Sequence, residues 1–362
     1  MKKTKVFLSL GLIVCGLLTG CGKQTETASI TNAQAQAKDA AVEYQWDFAK
    51  KNGDIDALKE ECDEKGEVIT IEYETPAYAI NDLKGVDETL TKTMTVYLPY
   101  GYDENGQYNV LYLLHGTRGE TDPAMETIWL EGWSATRNIL DNMIKEGMCE
   151  PIIVVCPTYY SEMEGYEMTE DDAKALSEKL NDEMIYADKA EDGGEVDNAQ
   201  NIWPVYFGQE LRNNIIPTAE SQLATYAGHD VSEENLIATR DHRAFAGLSR
   251  GSMTVARSGM TDNADLFAYF GMYSGAWQRP EAFEKAMTED FADYEIKFWY
   301  NGNGAGDFAL ENHKDFCEKV LSDIPDKFTD GQNYAFVKLR DGAHMFASWQ
   351  ADLYNSLLVF FK

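Results

Sequence analysis

Arg243-Ala244-Phe245-Ala246-Gly247-Leu248-Ser249-Arg250-Gly251-Ser252-Met253-Thr254-Val255-Ala256 is the stretch on which the fold turns. Its first half is an apolar run of the kind found in a strand covered on both faces. Its second half can open a helix. Between them, Gly247-Leu248-Ser249-Arg250-Gly251 has the form G-x-S-x-G. Glycines on either side let the strand and helix backbones pass closely, and the serine is held on a strained turn with its hydroxyl above the sheet edge. In a chain with 28 glycines the pattern alone is weak. The strand before it and the helix after it give it weight.

Working outward, the same alternation continues. Val68–Tyr73 and Lys92–Leu98 alternate like half-buried strands. Val110–Leu114, Pro151–Cys156, Tyr294–Tyr300 and Tyr334–Leu339 read as further strands. Trp133–Gly147, Gln209–Ala227 (with a kink or break at Pro217) and Tyr354–Phe361 read as helices. Strands alternating with helices predict an α/β domain over 66–362, with a mostly parallel central sheet flanked by helices. Residues 162–197, crowded with Asp and Glu, interrupt the alternation before the nucleophile strand. They read as an acidic insertion, either a solvated excursion or a lid over the site. Asp188, Asp192, Glu195 and Asp197 lie there, but their spacing matches no calcium loop, so no metal is expected.

A serine hydroxyl is a poor nucleophile without a base. Of the five histidines, His344 lies just past the strand Tyr334–Leu339, at the carboxyl end where sites of open α/β sheets are built. Its place in the chain suits the order Ser, acid, His, with His313 as the rival. The acid that would hold the imidazole is Asp307, after Asn301-Gly302-Asn303-Gly304-Ala305-Gly306, whose glycines predict a tight turn. Glu311, Asp315 and Asp341 are its competitors. The loop His115-Gly116-Thr117 follows a buried strand, so the Thr117 N–H can meet a developing oxyanion together with the Arg250 N–H. His115 itself reads as a residue that orders this loop through hydrogen bonds. Trp133, Trp203, Trp277 and Trp349 fall near the implied loops and are candidates to stack on sugar or phenyl rings.

The N-terminus carries an export signal. Lys2, Lys3 and Lys5 precede the apolar run Val6–Leu18, which is too short to span a bilayer comfortably. Leu18-Thr19-Gly20-Cys21 resembles the lipobox of bacterial lipoproteins. This predicts a signal segment at 1–21, a lipid on Cys21, and a protein held at the extracellular face of the cell membrane only by that anchor. Residues 22–65 read as a flexible tether and a peripheral polar segment. The formal net charge of −31 repels phosphate backbones, so nucleic acid is excluded as a partner. Cys62, Cys149, Cys156 and Cys317 match no metal-ligand spacing, and sequence does not pair them.

Taken together, these pieces resemble the carbohydrate esterase family one group, the esterase-D-like enzymes that include feruloyl and acetylxylan esterases. The resemblance rests on Val96-Tyr97-Leu98-Pro99-Tyr100-Gly101-Tyr102, on Tyr108 to Gly116, and on Asn138-Ile139-Leu140-Asp141-Asn142 leading into Pro151-Ile152-Ile153-Val154-Val155. Ala246–Gly251, Asp307 and Gly342-Ala343-His344 complete it. It implies an α/β-hydrolase fold and a serine esterase without a cofactor. It further implies that Ser249, Asp307 and His344 act on feruloyl or acetyl groups of plant polysaccharide, with Thr117 and Arg250 as oxyanion donors. A hydrolase-fold lipoprotein that only binds a ligand, or a peptidase or acyltransferase, are the alternative readings. Arg250, where many members carry an apolar residue, and the long acidic insertion depart from the family pattern.

Overall fold

The computed structural model describes residues 44–119, 124–189 and 196–362. The signal segment, Cys21, the tether, and the insertion residues Asp192 and Glu195 lie outside the described residues. Eight strands form one sheet: β1 Glu67–Pro76, β2 Thr89–Leu98, β3 Asn109–Leu114, β4 Ile152–Cys156, β5 Arg243–Leu248, β6 Tyr269–Tyr273, β7 Phe298–Gly304 and β8 Tyr334–Leu339. Their order is β1-β2-β4-β3-β5-β6-β7-β8. The β1–β2 and β2–β4 pairs are antiparallel, and every pairing from β4 to β8 is parallel. Helices connect the parallel strands and cover both faces, the α/β-hydrolase architecture that the alternation predicts.

The sheet separates two apolar cores, and the strand period sorts side chains between them. Val110, Tyr112 and Leu114 of β3 enter one core with Phe245 of β5. Leu111, Leu113, Ala244, Ala246 and Leu248 enter the other. Each large side chain buried this way contributes roughly 1.5–3 kcal/mol relative to exposure. Central strands covered on both faces cannot alternate in polarity, which is why they read as continuous apolar runs.

Several boundaries differ from the sequence reading. β6 was not foreseen: it is five residues long, carries Gly271 in its middle, and has no period to betray it. β7 runs on through Asn301, Gly302, Asn303 and Gly304, which read as a turn. Asn301 and Asn303 stay in the strand because their side chains bond the buried His313. Of the kink or break expected at Pro217, the break does not occur. The helix runs from Trp203 to Gln222 through a π-turn at Leu211–Ile215, and Pro217 sits in the first turn after it, where its missing N–H costs little. The last helix is Phe346–Leu357, starting eight residues before the predicted one.

The segment read as polar and peripheral is structural. Phe48, Ala49, Ile55 and Leu58 are buried in the second core. Tyr44, Trp46 and Phe48 form a ring cluster that reaches Phe298 and Tyr300 of β7. The Ala49 N–H and C=O both bond the Asn355 side chain. The polar residues between these rings hid the anchor in the sequence. Of the insertion, Glu170–Leu180 is a helix with a Thr169–Asp172 capping box. It buries Ala173 and Leu176, and ion pairs Lys84–Asp172 (2.7 Å) and Lys179–Asp82 (2.8 Å) fasten it to the body. The four described cysteines are free and buried. Among the described residues no helix is long and apolar enough to cross a membrane.

Candidate active site

Ser249 stands at the carboxyl end of β5, on the turn into the helix Arg250–Thr254. Its φ of 51° and ψ of −118° lie where a side chain is strained, at a cost of about 1–3 kcal/mol. Two contacts enforce the turn. A Cβ on Gly251 would lie 2.1 Å from the His115 carbonyl oxygen, and one on Gly247 would lie 2.7 Å from the Gly251 backbone. The Ser249 N–H donates to the Tyr273 carbonyl of β6 at 2.7 Å. The motif therefore wedges between two parallel neighbours, and its hydroxyl is pushed out of the sheet.

That hydroxyl meets an imidazole. Ser249 Oγ lies 2.9 Å from His344 Nε2. On the other side of the ring, Nδ1 lies 3.0 and 3.1 Å from the two oxygens of Asp307. A carboxylate only accepts, so Nδ1 carries the hydrogen and Nε2 is left to accept from the serine. The Asp307 side chain is fully buried, while His344 is 22% exposed. Burial pushes the Asp307 carboxyl up, but hydrogen bonds from His344 and the Ala309 N–H outweigh it and hold the group below its ordinary range. Residues separated by 95 positions along the chain are thus brought into one hydrogen-bonded line.

The rivals are elsewhere. His313 is fully buried between Asn301 and Asn303, and burial lowers it to about 3. Asp341 accepts from the Asn52 N–H, and Glu311 and Asp315 are exposed on the helix Leu310–Asp323.

The candidate oxyanion loop is braced from below. The planar Gly116–Thr117 peptide carries the Gly116 carbonyl on one side and the Thr117 N–H on the other. The carbonyl accepts from His115 Nδ1 at 2.7 Å and from the Tyr159 hydroxyl at 2.5 Å. His115 Nε2 accepts in turn from the Thr158 hydroxyl at 2.8 Å, so this buried ring is neutral, and burial lowers it to about 3. The Thr117 N–H meets no acceptor among the described residues. Arg250 opens its helix, where the first N–H groups have no partner within the helix. Arg250 Nε also donates to the Thr117 hydroxyl at 3.1 Å, so the two segments touch. The next amide, Arg118 N–H, donates to the Tyr160 hydroxyl.

Thr158, Tyr159 and Tyr160 were not foreseen in the sequence. Their signal was positional: they follow β4 immediately, at the carboxyl end of the sheet. Beneath them Lys92 donates to the Thr158 carbonyl at 2.8 Å and pairs with Glu210 at 2.7 Å, both side chains buried.

The four tryptophans divide. Trp349 stands edge-on to His344, with ring centres 5.1 Å apart, and Trp133 joins the same cluster through Phe346. Trp277 is buried under the Arg257 guanidinium and shares a small cavity with Arg250, Met253, Met184 and Ile185. The last two come from the insertion, and Arg257 is tied to its Asp182 at 2.8 Å. Trp203 is not brought to Ser249. It packs in the first core, and its edge lines a separate cavity beside Glu162, Tyr166 and Gln200. Its place at the start of a helix gave an apolar ring a core to enter. Among the described residues no group of three or more His, Cys, Asp or Glu could hold a metal.

The Esterase family model matches residues 90–360. Endo-1,4-beta-xylanase Y of Acetivibrio thermocellus is 29% identical over 282 residues. That match takes in 75% of this chain but spans 22% of the xylanase's length. A structure named FAE superposes with a TM-score of 0.64 at 26% identity, covering 89% of this chain and 96% of that one. The feruloyl esterase module from Clostridium thermocellum, a serine-to-alanine mutant complexed with sinapinate, gives 0.62 at 25%, with coverage of 89% and 95%. A CE1 ferulic acid esterase from Anaeromyces mucronatus in complex with ferulic acid shares the fold, with a TM-score of 0.59 at 19% identity, over 84% of this chain and 95% of that one. The chain belongs to the Esterase family and is a carboxylic ester hydrolase.

Proposed function

We propose that this chain removes feruloyl groups from plant cell-wall polysaccharide by an acyl-enzyme mechanism. The observation that carries the mechanism is the unbroken line Ser249 Oγ, His344 and Asp307, at 2.9 Å and then 3.0 Å. In this reading Ser249 attacks the ester carbonyl and His344 takes its proton. Thr117 and Arg250 N–H groups receive the oxyanion. His344 then returns the proton to the leaving alcohol, and water repeats the sequence on the acyl-enzyme. Asp307 keeps the imidazole in the working tautomer and stabilises its cation. The feruloyl choice is supported by similarity to feruloyl esterases and to a xylanase that this chain matches only in part.

Turnover of a panel of esters that differ only in the acyl group, with wild type and Ser249→Ala, tests this. Hydroxycinnamoyl esters are expected to outpace acetyl esters, and Ser249→Ala is expected to be inactive. Full activity of the variant would remove Ser249 from the mechanism. Failure of a fluorophosphonate probe to label Ser249 would favour a binding protein instead. Attachment outside the cell through a lipid on Cys21 is part of the proposal, supported by the order of Lys2, Lys3, Lys5, the apolar run and Cys21. Release of the Cys21→Ala protein from membranes is the expected result.

A further inference from the structure

Rings pave the surface on one side of His344. Among the described residues five large hydrophobics are exposed: Tyr100, Trp133, Leu180, Phe308 and Met345. Three of the five belong to this one patch. Phe308 follows Asp307 in the chain and is 80% exposed. Its ring centre lies 4.3 Å from that of His344. Met345 follows His344 and is 46% exposed. From His344 the rings continue through Trp349 at 5.1 Å, Phe346 at a further 6.1 Å, and Trp133 at a further 4.9 Å. Trp133 is 58% exposed. A folded chain gains nothing by holding such side chains in water, and a contiguous exposed apolar patch marks a contact surface.

The chemistry of the site says which part of a substrate meets it. In ester cleavage the carbonyl oxygen faces the oxyanion donors, and the leaving oxygen faces the imidazole that returns its proton. The alcohol half of the ester therefore lies on the His344 side. The acyl half lies on the other side of the reacting carbon. The alcohol side is an open row of rings.

We propose that Phe308, Trp349, Phe346 and Trp133 form a platform for the saccharide that leaves with the ester oxygen. This rests on the serine esterase reading of Ser249 and His344. Sugar rings present flat faces of C–H groups that pack on aromatic rings, and an open row admits a chain of several sugars where a closed pocket would admit one group. Phe308 holds the residue bearing the ester, and Trp133 a neighbour along the polymer.

The test uses the whole protein and two substrates with the same acyl group: a methyl ester and the ester of a xylo-oligosaccharide. The readout is the ratio of their kcat/KM values. In Trp133→Ala and in Phe308→Ala the ratio of oligosaccharide to methyl ester is expected to fall by about tenfold, and Trp133→Phe is expected to restore it. A ratio that stays within about twofold of wild type in both alanine variants overturns the platform. Because the ratio cancels a common loss of catalysis, disturbance of His344 by the Phe308 change does not imitate the effect. Failure of the underlying reading would look different: Ser249→Ala would keep its turnover of the methyl ester, and the platform would fall with it.

Discussion

Tyr159 donates its hydroxyl to the Gly116 carbonyl at 2.5 Å, on the same oxygen that His115 holds at 2.7 Å. Two donors on one carbonyl fix the plane of the peptide that follows, and with it the direction of the Thr117 N–H. An oxyanion donor acts only when it already points at the charge that develops. Tyr159→Phe keeps the ring and removes one of the two restraints. It is expected to lower kcat roughly tenfold with little change in KM, well short of the 10²–10³ seen when a donor itself is lost. Steady-state kinetics on a soluble ester decide the matter, and a raised KM at constant kcat would assign Tyr159 to substrate binding instead.

The bond between His344 Nδ1 and Asp307 sets the tautomer. Asp307→Asn can offer an N–H to Nδ1 and so favour the form in which Nε2 carries the hydrogen and cannot accept from Ser249. The expected loss in kcat is about 10⁴-fold, with the fold intact by circular dichroism. Retention of more than a tenth of wild-type kcat would mean that another acid holds the ring.

Ser249 bears backbone strain for the sake of its position. Ser249→Gly removes the hydroxyl and also the Cβ that makes φ of 51° costly. The variant is expected to be inactive yet more stable by about 1 kcal/mol. Denaturant titration measures this directly, and a variant less stable than wild type would show that the turn stores no strain.

Lys92 and Glu210 form a buried ion pair whose lysine also holds the Thr158 carbonyl and the Ser161 hydroxyl. Lys92→Met leaves the Glu210 carboxylate buried without its counter-charge. The expected loss is about 3–5 kcal/mol, with much of it recovered in Lys92→Met/Glu210→Gln. A double-mutant cycle by urea unfolding tests this, and additive losses would mean that the two groups act independently.

Acid should weaken the fold before the carboxylates titrate. Burial holds His115 and His313 at about 3, against an ordinary value of 6.5. On unfolding below pH 6.5 each ring takes up a proton, so the unfolded state binds more protons and gains as pH falls. Stability is full above pH 6.5 and declines as pH drops, by up to about 1.4 kcal/mol per pH unit for each ring. Urea midpoints at pH 7 and pH 5 should differ accordingly, and equal midpoints would show that the rings remain accessible to protons in the folded chain.

The local signals in the chain were strong where a residue's role depends on its immediate neighbours. An apolar run, two glycines and a serine declare a strand, a sharp turn and a helix, because backbone sterics act over a few residues. The parallel strands β3, β4 and β5 were legible for the same reason, and Asp307 and His344 could be named from their places after β7 and β8. What the sequence did not reveal depends on groups far apart. Trp46 and Phe48 pack on β7 across some 250 positions of chain, so their segment read as polar and peripheral. Tyr159 and Lys92 look like any tyrosine after a strand or any lysine within one, until the sheet order sets β2 beside β4 and places both beneath the His115 loop. Nothing in the sequence marks Phe308, and only the folded surface leaves it uncovered beside the imidazole. Pattern along the chain fixes what each short segment can become. Burial, and which polar atoms share a carbonyl, are decided by distances that exist only once the sheet has closed.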